Sequence, residues 1–184
     1  VNQVQSMKQL VNEFRDYARL TAATRQQLDI NALVAEVLAL YGVELDKGRL
    51  VAQCGTGLPG IRGDATQLRQ VIHNLVQNAL DAVGGREDGR VQLLTEVARH
   101  EDGRPRVVRL KVSDNGPGFA DKVLKRDIEP YVTTKSKGTG LGLAVVKKIA
   151  DEHGARVRIV NLPSTQGTDG PPGGAQVSLS FSSF

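Results

Sequence analysis

The chain opens on an amphipathic pattern. In VNQVQSMKQLVNEFRDYARL, Val4, Met7, Val11, Phe14 and Ala18 alternate in steps of three and four, which predicts one helix with a single apolar stripe. Such a stripe needs cover, either from a partner helix in a two- or four-helix seam or from its own domain. A polar linker, TAATRQQLD, follows, and INALVAEVLALYGVELDKG returns to helical periodicity ending near Gly48. RLVAQC is a short strand candidate. The clearest element is DATQLRQVIHNLVQNALDAVGG, where Asp64 and Gln67 have capping-box spacing and Gly84 and Gly85 supply the stop. Its apolar positions Leu68, Val71, Ile72, Leu75, Ala79, Ala82 and Val83 form one broad face, while Asn74, Asn78 and Asp81, four and three apart, share another.

Further along, RVQLLTEVA and PRVVRLKVSD flank the turn RHEDGR and read as a hairpin, with DNGPGF at the end of its second strand. Residues 119–139 are loop-like and polar. GLGLAVVKKIADEHGA is a helix running from a glycine cluster to a stop at Gly154, and RVRIVN and AQVSLSF are two strands joined by the Pro/Gly-rich loop LPSTQGTDGPPGG. The order helix, strand, helix, hairpin, loop, helix, hairpin predicts an α+β architecture, with helices packed on one face of a mixed, largely antiparallel sheet.

At 184 residues the chain can form one well-buried domain plus a small appendage. It is 40% hydrophobic, has no tryptophan and contains no apolar run long enough to span a bilayer, the composition of a soluble globular protein. A net charge of +4 and a pI near 9.4 raise the question of nucleic acid. The basic residues, however, are scattered among 20 acids with no aromatic-basic stripe, which argues against such a partner. Cys54 is alone, so no internal disulfide forms, and His73, His100 and His153 are scattered without partner cysteines, which argues against zinc. A reducing cytosolic compartment fits. The chain starts at Val1 and shows no signal peptide, so it reads as a piece of something longer.

Three polar clusters punctuate the elements, and each has two readings. Asn74 and Asn78 are either a solvated helix face or a source of neutral carbonyl oxygens suited to Mg²⁺ that already carries phosphate and water. Asp114, ahead of Gly116 and Gly118, is either part of a turn or an acceptor for the exocyclic amine of a flat base that the glycines admit. TTKSKGTGLGL is either a plain turn or a phosphate cradle, with Lys135 supplying charge. It is not a P-loop, because no glycine precedes a Lys-Ser or Lys-Thr pair, and it is not a dinucleotide fingerprint, because Leu143 stands where the last glycine belongs. The phosphate, metal and base readings reinforce one another, since all three are parts of one ligand.

The segments HNLVQNALDA, DNGPGF, EPYVTTK and GTGLGL, in this order, resemble the N, G1, F and G2 boxes of the catalytic ATP-binding domain of sensor histidine kinases. That domain is shared with type II topoisomerase, Hsp90 and MutL ATPases. The resemblance covers residues 28–184, and EPYVTTKSKGTGLGLAVVKKI with LVNEFRDYARL is most similar to the nitrogen-regulation type. It implies the two-layer α/β sandwich known as the Bergerat fold, ATP and Mg²⁺ as cofactors, and γ-phosphoryl transfer to a histidine for relay to a response regulator. Residue by residue, it implies that Asn78 ligates Mg²⁺, that Asn74 and Asp81 border the nucleotide, that Asp114 bonds the adenine amine and that Gly116 and Gly118 shape the base pocket. It further implies that Gly140 and Gly142 form the hinge and phosphate turn of a mobile lid, that Thr133, Thr134 and Lys135 approach the phosphates from its side, that Gly138, Thr139 and Leu141 belong to the same nucleotide-binding stretch, and that Asn74, Asn78 and Lys135 are the catalytic residues.

The chain also departs from the family pattern. Asp127-Ile128 precedes EPY where phenylalanine is usual, and Gly173, Gly174 and Ala175 replace a Gly-x-Gly-Thr box, so these three receive no ligand role. No His-Glu-x-x-Asn-Pro motif is present, and His73 inside the N box reads as a helix residue bordering the site rather than a phosphoacceptor. The resemblance therefore assigns residues 1–20 to the end of the second helix of a dimerisation hairpin, 21–27 to a linker and 28–184 to the catalytic domain. The acceptor histidine, the homodimer partner and any membrane anchor are expected upstream, with this part cytoplasmic. Two alternatives stand beside this reading: a serine kinase or ATPase of the same superfamily, and a non-catalytic nucleotide-binding or dimerisation module. An ATPase needs a water-activating carboxylate, and the position four residues before Asn78 is Asn74.

Overall fold

A computed structural model of the chain describes residues 2–18, 24–125, 142–164, 166–167, 169–170 and 172–184. Helix α1 (Asn2–Ala18) is followed by strand β1 (Gln26–Leu28), helix α2 (Ile30–Leu38), helix α3 (Gly42–Asp46), strands β2 (Leu50–Cys54) and β3 (Ile61–Gly63), and helix α4 (Ala65–Ala82). Strands β4 (Val91–Arg99) and β5 (Pro105–Asp114), helices α5 (Asp121–Lys125) and α6 (Gly142–Glu152), and strands β6 (Arg156–Asn161) and β7 (Ala175–Phe181) complete the order. The main sheet runs β2-β4-β5-β7-β6, parallel only between β2 and β4, and β1 pairs with β3 in a separate antiparallel ribbon. This is the expected α+β architecture with a mixed, mostly antiparallel sheet.

Alternation explains which face of the sheet is covered. On β5, Val108, Leu110, Val112 and Asp114 point inward, and on β7, Ala175, Val177, Leu179 and Phe181 do the same. They meet Leu68, Val71, Ile72, Leu75 and Ala79 of α4, joined by Leu33, Val34 and Val37 of α2 and Val145, Val146 and Ile149 of α6, in one core. Helix α4 lies at the centre because it packs on α2, α6 and the middle strands at once. The opposite face of the sheet carries Glu96, whose carboxylate contacts Lys111 at 2.7 Å and Arg109 at 3.4 Å.

One arm of the capping box forms as its spacing predicts, the Asp64 carboxylate accepting from the Gln67 N–H at 3.0 Å, but Gln67 Oε1 does not return to the Asp64 N–H. The Asp64 N–H donates to Nε2 of His153 at 2.9 Å, and the same ring bonds the Ile149 carbonyl through Nδ1 at 2.8 Å. His153 is thus a buried tie between the start of α4 and the end of α6.

Four local expectations differ from the fold. The helix expected from Ile30 to Gly48 breaks at Tyr41, at φ −113° and ψ 34°, because the buried Tyr41 turns inward to reach His73. Gln26 and Gln27, polar enough to read as linker, pair through their backbones with β3, a strand too short to show in the pattern. Asp121–Lys125 forms a short helix inside the stretch read as loop. On α1, Val4, Met7, Val11 and Phe14 are each more than half exposed, so the described residues of its own chain do not cover this part of the stripe.

Candidate functional site

A cavity of about 780 Å³ opens between the C-terminal half of α4, the ends of β5 and β7, the Asp114–Phe119 loop and the start of α6. Its floor is apolar, from Leu75 and Ala79 of α4, Val112 of β5, Val177 of β7, Phe119 and Leu143. Asn78, Asp81 and Asp114 bring polar groups to it. A slot with an apolar floor and a few convergent polar groups suits a flat heterocycle joined to a polar tail.

Asp114 is the last residue of β5 and is only 9% exposed. Its Oδ1 accepts the Gly116 N–H at 2.8 Å, which fixes the carboxylate against its own loop. The glycines beside it are sterically required. A Cβ on Gly116 would lie 2.8 Å from the Ala82 carbonyl oxygen at the end of α4. Gly118, at φ +81°, would set one 2.9 Å from Asn161 Oδ1.

At the far end, Asn74 and Asn78 project from α4 toward the first residue of α6. The Asn74 amide reaches the Gly142 carbonyl at 3.5 Å, and a Cβ on Gly142 would lie 3.3 Å from Asn78 Nδ2. The N-terminus of an eleven-residue helix, whose first N–H groups have no partner within the helix itself, thus stands beside the two asparagine amides. Among the described residues no three His, Cys, Asp or Glu side chains cluster as a metal site. A single neutral Asn oxygen fits a Mg²⁺ that arrives already charge-compensated by phosphates and water, rather than a resident ion held by carboxylates.

Asp81 lines the cavity, but its carboxylate accepts from Gln77 Nε2 at 2.9 Å and faces solvent. A carboxylate repels phosphate, so a hydroxyl or a metal-bound water is its fitting partner. Next to it the Tyr41 hydroxyl lies 2.7 Å from His73 Nδ1 and 3.4 Å from Gln77 Oε1. Burial, with the charges of Asp81 and Glu44, pushes the Tyr41 phenol up to about 12. His73 does not line the cavity and meets it only through Tyr41, from the exposed side of α4.

Asn78, Asp81, Asp114 and Gly118 line one cavity, while Asn74 and Gly142 stand beside Asn78 and Gly116 is wedged between Asp114 and the end of α4. Thr133, Thr134, Lys135, Gly138, Thr139, Gly140 and Leu141, with Asp127 and Ile128, lie outside the described residues. Sequence reasoning missed Tyr41, Glu44, Lys47 and Arg49, which bring a further wall to the cavity from the α2–β2 region. Arg49 donates to the Val83 carbonyl at 3.0 Å and so caps the C-terminus of α4. No periodicity marks these residues, because they converge only through the break at Tyr41.

Residues 63–183 match the family described as histidine kinase-, DNA gyrase B-, and HSP90-like ATPase. A putative sensor histidine kinase, NtrY-like, of Rickettsia conorii is 32% identical over 170 residues, a match that covers 88% of this chain and 26% of that protein. The chain thus spans about a quarter of that relative. Among solved structures, the nucleotide-free catalytic domain of histidine kinase ThkA superposes with a TM-score of 0.66 at 25% identity, over 86% of this chain and 95% of the other. Full-length ShkA in complex with AMPPNP gives a TM-score of 0.70 at 29% identity, over 96% of this chain and 36% of the other.

Proposed function

The chain belongs to the histidine kinase-, DNA gyrase B-, and HSP90-like ATPase family, and from that premise we propose that it is the ATP-binding catalytic domain of a sensor histidine kinase of the nitrogen-regulation type. It positions Mg-ATP for transfer of the γ-phosphoryl group to a histidine on a hairpin outside this chain, for relay to a response regulator aspartate. The observation that carries this reading is one cavity bordered by the buried carboxylate of Asp114 and by Asn78, with Asn74 and the start of α6 packed beside that asparagine. A base reader and a phosphate end are thereby parts of a single site.

The work of such a site is placement and charge compensation, because phosphoryl transfer asks for little covalent chemistry from the protein. Asp114 accepts the adenine amine in a place that water reaches poorly, and Gly116 and Gly118 leave room for the base. Asn78 holds Mg²⁺, which neutralises charge on the phosphates when bound. The first N–H groups of α6 face the phosphates, and Thr133, Thr134 and Lys135, from the glycine-rich segment through Gly138, Thr139, Gly140 and Leu141, bring the remaining donors and the cation. Asp81 borders the ribose and phosphate side.

Asn74 supports the kinase reading over an ATPase one. A hydrolytic relative needs a carboxylate to take a proton from water, whereas an amide has no such capacity and here reaches the Gly142 carbonyl. Residues 1–20 are the end of the second hairpin helix, 21–27 a linker and 28–184 the catalytic domain. The exposed stripe of Val4, Met7, Val11 and Phe14 fits a helix whose cover comes from that hairpin or from the homodimer partner. Among the described residues no helix is long and apolar enough to cross a membrane. We place this part on the cytoplasmic side of a sensor anchored through another segment.

Titration calorimetry with Asn78→Ala tests the proposal. Mg-dependent ATP affinity is expected to vanish while circular dichroism stays that of the parent, and unchanged affinity refutes the metal assignment. Transfer of label from γ-labelled ATP to a separately supplied histidine-bearing hairpin tests the kinase activity, and tight binding without label on the hairpin leaves only a binding module.

A further inference from the structure

The loop from Asp114 to Phe119 is held at both ends by asparagine side chains that do the work of a strand neighbour. At the front, Asn115 Oδ1 accepts the Arg90 N–H at 2.7 Å and its Nδ2 donates to the Asp88 carbonyl at 2.8 Å. The Arg86 guanidinium donates to the Asn115 carbonyl as well. At the back, Asn161, the last residue of β6, accepts the Phe119 N–H through Oδ1 at 2.7 Å and donates through Nδ2 to the Phe119 carbonyl at 3.0 Å. A primary amide offers one acceptor and one donor side by side, the same pair a backbone residue shows across a ladder, and only Asn and Gln carry it. Both loop ends are thus locked by two-point side-chain contacts, and at the front the Asn115 N–H adds a backbone bond to the Arg90 carbonyl at 3.2 Å.

We propose that Asn161 and Asn115 are positioning residues that preset the base pocket, so that its geometry exists before nucleotide arrives. The inference rests on the nucleotide-site reading above. Asn161 acts through Phe119, whose ring lies in the cavity floor, and through Gly118, whose missing Cβ leaves space for the Asn161 amide. Asn115 acts through Asp114, its chain neighbour, by fixing the loop to the Asp88–Arg90 turn. Neither asparagine lines the cavity itself. Each instead removes freedom from a loop that a base would otherwise have to order on binding.

The test compares affinities of the wild-type chain, Asn161→Ala, Asn161→Asp and Asn115→Ala for ADP and GDP at fixed Mg²⁺, alongside thermal unfolding. Loss of a two-point contact is expected to weaken ADP binding about ten-fold. The preference for ADP over GDP should shrink with it, because the wall that reads the base has moved. Asn161→Asp keeps the acceptor for the Phe119 N–H but sets a carboxylate oxygen against the Phe119 carbonyl, so it should weaken ADP at least as much as Asn161→Ala. A purely structural role would weaken ADP and GDP by one common factor in step with the unfolding temperature, and that result overturns the proposal. Unchanged ADP affinity in the folded variants overturns it too. A wild-type chain that binds neither nucleotide removes the nucleotide reading, and this inference with it.

Discussion

Gly174 received no role from its sequence, yet the structure makes it the position where one added methyl group should do most damage to the site. Its φ is +136°, and a Cβ there would lie 1.7 Å from the Asp114 carbonyl oxygen and 2.9 Å from Asn115 Cα. Neither neighbour is a flexible side chain, so the backbone of β7 and the Asp114 loop must separate by roughly 1.3 Å before the contact is tolerable. Holding an L-residue at such a φ costs about 1–3 kcal/mol. The displacement also strains the bond from the Leu162 N–H to the Gly174 carbonyl, 2.9 Å long, for roughly another 1 kcal/mol. Gly174→Ala is therefore expected to lose about 2–4 kcal/mol, which in a chain of this size lowers the melting temperature by roughly 5–15 °C. Because Asp114 moves with the strand, nucleotide affinity should fall by at least about ten-fold. Scanning calorimetry and nucleotide titration measure both, with Gly103→Ala as the comparison. Gly103 also has a positive φ, +84°, but nothing lies within 4 Å of its Cβ position, so it should lose stability and leave affinity alone. If Gly174→Ala melts and binds like the parent, the close approach is not what shapes the site.

Two further predictions concern α4 and its neighbours. Asp64→Ala removes the α4 cap and should cost about 1 kcal/mol near neutral pH. Burial opposes ionisation of Asp64, but the N–H groups of Gln67, Thr24 and Thr66, with nearby His153, outweigh it and hold the carboxyl below its usual range. A lowered folded-state value stabilises the fold above the ordinary carboxylate range and is lost as pH falls through it. Urea midpoints of parent and variant should therefore converge in acid, and a gap that persists there contradicts the cap. Tyr41 behaves in the opposite sense. Its phenol is raised to about 12 by burial and by Asp81 and Glu44, so its contribution is complete below pH 10 and lost as pH climbs toward 12. Tyr41→Phe should abolish that alkaline loss in pH-dependent urea midpoints, and an unchanged alkaline limb refutes the burial argument.

Much of the fold is legible in the pattern because it rests on short-range regularities. The α4 stripe, the Asp64 cap and the alternation of β4, β5 and β7 are each encoded within about ten residues of chain, and each forms as its spacing predicts. The elements that escaped notice have no such local code. Strands β1 and β3 are three residues each and exist through pairing across more than thirty residues of sequence. The break at Tyr41 follows from a hydrogen bond to His73, thirty-two positions away.

The same division runs through the candidate site. Sequence by itself determined the residue types, their order and the family, because Asn74, Asn78, Asp114, Gly116, Gly118 and Gly142 stand in short motifs whose spacing survives without coordinates. Only the tertiary structure decided that these motifs meet at one cavity, that Asp114 is buried in it, and that Asn115, Asn161 and Gly174 pack against the loop from Asp114 to Phe119. These last are contacts between backbones far apart in sequence, where a methyl group too many or an amide too few changes the geometry. No one-dimensional pattern carries such information, since packing is set by which segments the core brings together.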